Sequence, residues 1–207
     1  MQMQSSAIRN QSLIQTKRLG YSFTPPIPLI DGDSLQPRTQ QELGARALAL
    51  SVVVAVSYGL ERAVGQAWLE REKLYEALSP SERSFVEDID SANASIFNAR
   101  VEALGIFAWA LGHVSSLPFE QALPSNLVRI YPDLRNEESP QRFLAGCHLR
   151  SSNEMIAMLD LAYCLHWCVV DSPAKLTKVQ LHVVAERRRA LEWMRAREDW
   201  EDLSLDT

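Results

Sequence analysis

The chain has 207 residues, 46% of them hydrophobic, enough for one domain with a substantial buried core. A formal charge of -5 excludes general nucleic-acid binding, because displacing counterions from phosphates needs a clustered basic surface. Three cysteines, Cys147, Cys164 and Cys168, are odd in number, lack framework spacing, and point to a reducing compartment, the cytoplasm.

Residues 1–37 read as an irregular, proline-rich arm ahead of a domain at 38–207. Pro25, Pro26, Pro28 and Pro37 remove amide donors, and Gly32 lies between Asp31 and Asp33, so only a short helix near 12–19 is expected there. Arg9, Lys17 and Arg18 interrupt the first 20 residues, which therefore lack the apolar core of a secretory signal. Thr39 and Glu42 spell a capping box that opens a helix through about residue 58, with Gly59 as a break. The longest apolar run, 47–60, is bounded by Arg46 and Glu61 and falls short of the about 20 residues a membrane span needs. A buried helix is the reading, with no membrane partner.

Val64, Trp68 and Leu69 make 61–77 an amphipathic helix. Ser79-Pro80-Ser81-Glu82 is the cleanest start signal: Ser79 caps, Pro80 takes the first helical position and Glu82 closes the box, for a short helix to 89. The segment 95–111 is apolar all round except at Asn98, Arg100 and Glu102, which places it centrally, and Gly112 ends it. Pro118, Pro124, Pro132 and Pro140 divide a loop-rich stretch at 115–147. Ser151 and Glu154 form another capping box, opening a helix that runs to about 170 before Asp171-Ser172-Pro173. Val179, Leu181 and Val183 alternate like a strand but lead into helical spacing at 186–194, so 179–197 is read as helix. The fold class is all-α, an irregular single-domain bundle of about six to eight helices. Trp109, Trp167 and Trp193 are expected in its core.

Five strings, L-S-P-S-E-R-S-F at 78–85, R-V-E-A-L-G-I-F-A-W-A-L-G at 100–112, D-L-A-Y-C-L-H-W at 160–167, V-V-A-E-R-R-R-A-L-E-W at 183–193 and W-E-D-L-S-L-D-T at 200–207, carry a resemblance. In that order the chain resembles a bacterial family known as domain of unknown function 4272, over most of its length after residue 40. The resemblance implies that Arg100, Glu102, Asp160, His166, Glu186, Arg187 and Trp200 are shared features of a scaffold. The family pattern often has arginine where this chain has Cys164.

Arg100, Glu102, Asp160, His166, Glu186 and Arg187 are the candidate polar core. Carboxylates and imidazole suit acid/base chemistry or a hard metal. Asp160 and His166, however, are six apart and lie about 120° around one helix from the same face, so they do not act together simply. No HExxH, paired Glu-x-x-His or glycine-rich phosphate loop is present. The reading is a buried charge network tying three central helices, with Arg100 paired to Asp160 or Glu186. Cys164 and Cys168, one turn apart, read as small core residues rather than zinc ligands, and His113 as a helix-end residue contacting carbonyls. Of Arg187, Arg188 and Arg189, one is expected inward on a carboxylate and two in solvent. Trp68, Trp109, Trp167, Trp193 and Trp200 are core anchors. No metal and no cofactor are expected.

The acidic end, Glu198, Asp199, Glu201 and Asp202, has two readings. Either it folds back so that Trp200 packs and the carboxylates meet Arg195 or Arg197, or it offers a negative surface to a basic protein partner. A small, acidic, helical chain without a reaction motif points to a cytoplasmic protein-binding module, an immunity protein that neutralises a cognate bacterial toxin, with the arm at 21–38 and the loops at 119–140 carrying specificity. The alternative is an enzyme of unrecognised type using Glu102, Asp160 and His166. A homo-oligomer stays open.

Overall fold

In a computed structural model, the structure describes residues 2–21, 27–30, 37–87, 94–121, 123, 126–171 and 178–206. Every regular element among them is helical: α1 (Gln2–Arg18), α2 (Gln40–Ser57), α3 (Arg62–Glu72), α4 (Pro80–Glu87), α5 (Ala94–Ala99), α6 (Val101–Ala110), α7 (Gln141–Ala145), α8 (Ser152–Asp171) and α9 (Leu181–Arg195). Single 3₁₀ turns lie at Tyr75–Ala77, Leu127–Arg129 and Leu134–Asn136. Helix α9 packs on α6 and α8, α2 packs on α6, and α1 packs on α8.

The capping signals act as their chemistry dictates. Thr39 Oγ1 accepts from the Glu42 amide while the Glu42 carboxylate accepts from the Thr39 amide, starting α2. Ser151 and Glu154 do the same for α8. Helix α6 ends where Gly112 takes φ +82°, so that its amide bonds the Trp109 carbonyl and the His113 amide that of Ala108. A Cβ on Gly112 would stand 2.7 Å from the His148 carbonyl oxygen. Apart from Val101, α6 is buried throughout, as all-round apolarity requires.

Four expectations are corrected. The first helix spans Gln2–Arg18 rather than 12–19, so the arm is not irregular from its start. Its buried face is Arg9, Ser12 and Thr16, a helical spacing written in polar residues, and an apolar periodicity has nothing to register there. The helix read at 61–77 stops at Glu72, because Lys73 turns left-handed at φ 58° and a single 3₁₀ turn follows. The continuous helix read at 95–111 divides at Arg100, whose amide bonds the Phe97 carbonyl three residues back before α6 resumes. Trp109 and Trp193 are buried, but Trp167 is only half-buried. Helix α9 is helix and not strand, and the helix opened by Ser79 is described through Glu87, its expected last residues lying outside the described ones.

Candidate functional site

The six candidate core residues separate into distinct pairs instead of one constellation. Asp160, 1% exposed on α8, faces α1: Arg9 Nη2 donates to its Oδ1 at 2.8 Å, and Arg9 Nε lies 3.1 Å from both carboxylate oxygens. The same guanidinium donates to the carbonyls of Ile27 and Pro28 at 2.9 Å, binding that segment to the helix pair. Glu102 on α6 accepts from Arg187 Nε of α9 at 2.8 Å, and Arg187, fully enclosed, also donates to the Pro118 carbonyl at 2.9 Å. Next to it Arg100 reaches Glu186 at 3.2 Å, one of the two partners expected for it. Neighbouring residues of α9, Glu186 and Arg187, thus meet an arginine and a glutamate presented at the start of α6.

His166 faces α9. Its Nδ1 lies 2.8 Å from Arg188 Nη1, and since a guanidinium only donates, Nδ1 carries the lone pair and the ring is the neutral Nε2–H tautomer. Burial, with Arg188 and Arg189 adding like charge, pushes the imidazole down to about 4. The prediction of one inward arginine in the Arg187–Arg189 run is corrected: Arg187 and Arg188 are both buried and Arg189 is half-buried. Because α9 lies between α6 and α8, two of three consecutive directions point inward, and the acceptors include backbone. Arg188 donates to Leu205 and Asp206 carbonyls at 3.2 and 3.3 Å, and Arg189 to the Trp200 carbonyl at 3.4 Å.

The three thiols are buried and held in the neutral form. Burial, reinforced by Asp160, pushes Cys164 up to about 12, and burial with Asp171 pushes Cys168 up to about 11. Cys164 Sγ lies 4.0 Å from Asp160 Oδ2, and the cation that meets this carboxylate, Arg9, comes from α1. Cys147 Sγ and His113 Nε2 are 3.5 Å apart, but burial raises the thiol and lowers the imidazole, so the two are a neutral pair. His113 meets the Phe143 carbonyl and stacks on the Phe143 ring at 4.5 Å. Among the described residues no group of three or more His, Cys, Asp or Glu is placed to hold a metal, and no helix is long and apolar enough to cross a membrane.

One deeply buried ion pair went unread in the sequence. Arg46 of α2, 2% exposed, meets Glu82 of α4, fully enclosed, through two bonds, one of 2.7 Å to Oε1, and also donates to the Ala77 carbonyl. Burial pushes the Glu82 carboxyl up, but Arg46 and the Ser79 amide outweigh it and hold the carboxyl below the ordinary glutamate range. The signal was present: a lone guanidinium inside the apolar α2. By sequence Arg46 bounds that apolar run and Glu82 reads as a capping residue, which it also is.

Arg46 of this pair lines a cleft of about 500 Å³ whose walls include Arg38, Lys73, Trp193, Asp199 and Trp200. The Arg38 guanidinium lies 3.9 Å over the Trp193 ring and that of Arg46 4.3 Å over Trp200. Arg38 also donates to the carbonyls of Trp193 and Glu198, so the C-terminal turn closes one side of the cleft. Trp200 is buried, as the folded-back reading of the tail expected. The carboxylates do not behave as that reading had them. Glu201 accepts from Ser79 Oγ at 2.6 Å and from the Ser81 amide at 2.8 Å at the start of α4, while Arg197 bonds Glu42 and Arg195 lies 3.6 Å from Glu192. Glu198, Asp199 and Asp202 are exposed.

Residues 9–203 match the family described as domain of unknown function (DUF4272), a span that holds every pair described above from Arg9 to Arg188. No curated protein and no solved structure matches the chain.

Proposed function

We infer the function of this chain, which belongs to the domain of unknown function family DUF4272, from its own geometry: it is a cytoplasmic protein-binding module, an immunity protein that neutralises a cognate bacterial toxin. The observation that carries this reading is how the ionisable groups are divided. Glu102, Asp160 and Glu186 are each committed to an arginine and His166 faces another, whereas Glu198, Asp199 and Asp202 stand in solvent within one short turn. Buried carboxylates held by guanidinium groups lock helices together, and clustered surface carboxylates speed the encounter with a basic partner. Specificity falls to the loops at 119–140, where Val128 is 67% exposed on a single 3₁₀ turn. The enzyme reading needs Glu102, Asp160 and His166 to converge, and they face three different arginines.

The test is co-purification with the product of the adjacent gene, followed by a growth-protection assay. The triple variant Glu198→Lys, Asp199→Lys, Asp202→Lys should slow association at least tenfold at low salt and flatten its salt dependence, with helical content unchanged. Protection that survives this variant and an exchanged 119–140 loop, but is lost in a folded Asp160→Asn protein, would sink the binding reading.

A further inference from the structure

The first turns of α8 and the last turns of α9 enclose a second, smaller cleft of about 240 Å³. Its floor is Leu159, Leu191 and Met194, all buried, and its walls are Met155 and Ile156, both half-buried. With Pro37 in its lining, six apolar side chains share one concavity, and its two methionines can adjust to a flexible occupant. At a water's share of about 30 Å³, the space suits roughly eight methylene-sized groups. It lies just below the roughly 300 Å³ at which drug-sized pockets begin, so the occupant is short.

The polar side chains of this cleft are Ser152 and Arg195. Glu192 approaches the Arg195 guanidinium at 3.6 Å, beyond N–H···O hydrogen-bonding distance, and is itself shared with Arg188 at 3.6 Å. Glu154, the nearest acid on α8, is turned away onto Ser151 and Arg150. Ser152 opens a helix of 20 residues, whose N-terminus adds partial positive charge on the same side. An apolar trough with one cation at its mouth selects an apolar body with one anionic end. A cationic ligand would be repelled, whereas an anionic end would give Arg195 the hydrogen-bonded partner that Glu192, at 3.6 Å, does not supply.

We propose that this cleft binds a medium-chain carboxylate, its chain of about eight carbons lying on Leu159, Leu191 and Met194 and its carboxylate at Arg195 beside Ser152. The site does not rest on the toxin-binding reading, although Arg195 lies two turns along α9 from Arg188, which holds the acidic turn.

Isothermal titration of the full chain with octanoate, octanamide, octylammonium and 3-phenylpropanoate tests it. Octanoate should bind with a Kd of about 1 mM or tighter, octanamide about tenfold more weakly, and octylammonium not measurably. Arg195→Gln, at a position reached by solvent, should bring octanoate down to the octanamide affinity. Met155→Trp should fill the trough and remove both, with an unchanged circular dichroism melt showing that it folds. No saturable octanoate binding up to about 10 mM, equal affinity for octanoate and octanamide, or tighter binding of phenylpropanoate would each overturn the assignment. So would a dimer in analytical ultracentrifugation that octanoate leaves intact and Met155→Trp dissociates, because a second copy would then fill the cleft.

Discussion

Substituting Arg46 by methionine isolates the energetics of the deepest ion pair. The change removes a guanidinium that is 2% exposed and leaves Glu82, which solvent does not reach, with the Ser79 amide as its remaining donor. Stranding one member of a buried pair costs about 3–5 kcal/mol, and the lost contact over Trp200 adds about 1 kcal/mol. Against a total stability of about 5–15 kcal/mol this is severe, and at roughly 2–4 °C per kcal/mol it lowers Tm by about 8–24 °C. The loss must also depend on pH. In the wild type Glu82 titrates below its ordinary value of 4.5, so its contribution is complete above that value and disappears as pH falls through the depressed one. Without Arg46, burial dominates and raises the carboxyl above 4.5. The folded variant then takes up a proton as pH falls, and its deficit against the wild type shrinks from pH 7 towards pH 4. Urea unfolding at both pH values, with equal m-values, measures this. The double variant Arg46→Met, Glu82→Met should recover most of the stability, since replacing both partners by apolar groups leaves no stranded charge. A deficit under about 1 kcal/mol at pH 7, a deficit independent of pH, or a double variant weaker than the single would refute the reasoning.

Arg100→Ala should cost about 3 kcal/mol, the lower end for a buried pair, because Glu186 is only half-buried; a calorimetric melt that does not move would place the guanidinium in solvent. His166 titrates near 4 when folded and near 6.5 when unfolded, so its contribution is complete above pH 6.5 and lost as pH falls towards 4, by about 3 kcal/mol in all. His166→Phe should flatten that part of the stability profile, and an unchanged profile would assign the acid sensitivity elsewhere. Arg9→Ala strands Asp160 and should cost about 3 kcal/mol; hydrogen exchange should quicken through α1 while α2 and α6 stay protected, and uniform quickening would contradict the local role.

What was legible follows from the range of each interaction. The capping boxes at Thr39 and Ser151 and the stop at Gly112 are local, decided within a few residues, and the structure carries them where the sequence places them. All-round apolarity identified α6 as central because burial on every side requires it. Helix α1 was cut short because its buried face is Arg9, Ser12 and Thr16, and hydrophobic periodicity is blind to a face that buries hydrogen-bonding groups. Arg100 was recognised as paired from its place inside an apolar helix, but the choice between Glu186 and Asp160 depends on which helices lie adjacent. The acceptors of Arg188 and Arg189 are carbonyls of the C-terminal turn, and nothing in residue identity marks a carbonyl as a ligand.

Helix α9 explains why so many charges are enclosed. Glu186 and Arg187 engage the start of α6, Arg188 engages His166 of α8, and Trp193 lies edge-on to Phe107 at 5.8 Å. Successive residues differ by about 100° around the helix, so a rotation by one position would carry Arg188 to Glu102 and Arg187 out of reach of it. It would also turn the carboxylate of Glu186 away from Arg100, stranding a buried cation. Apolar packing alone tolerates such rotations at modest cost, whereas misplaced charges cost several kcal/mol each. The pairs therefore set the orientation of α9, and with it the position of the turn that α9 holds through Arg188 and Arg189. The exposed carboxylates of Glu198, Asp199 and Asp202 are displayed from that turn, so the buried charges govern where the surface charges stand.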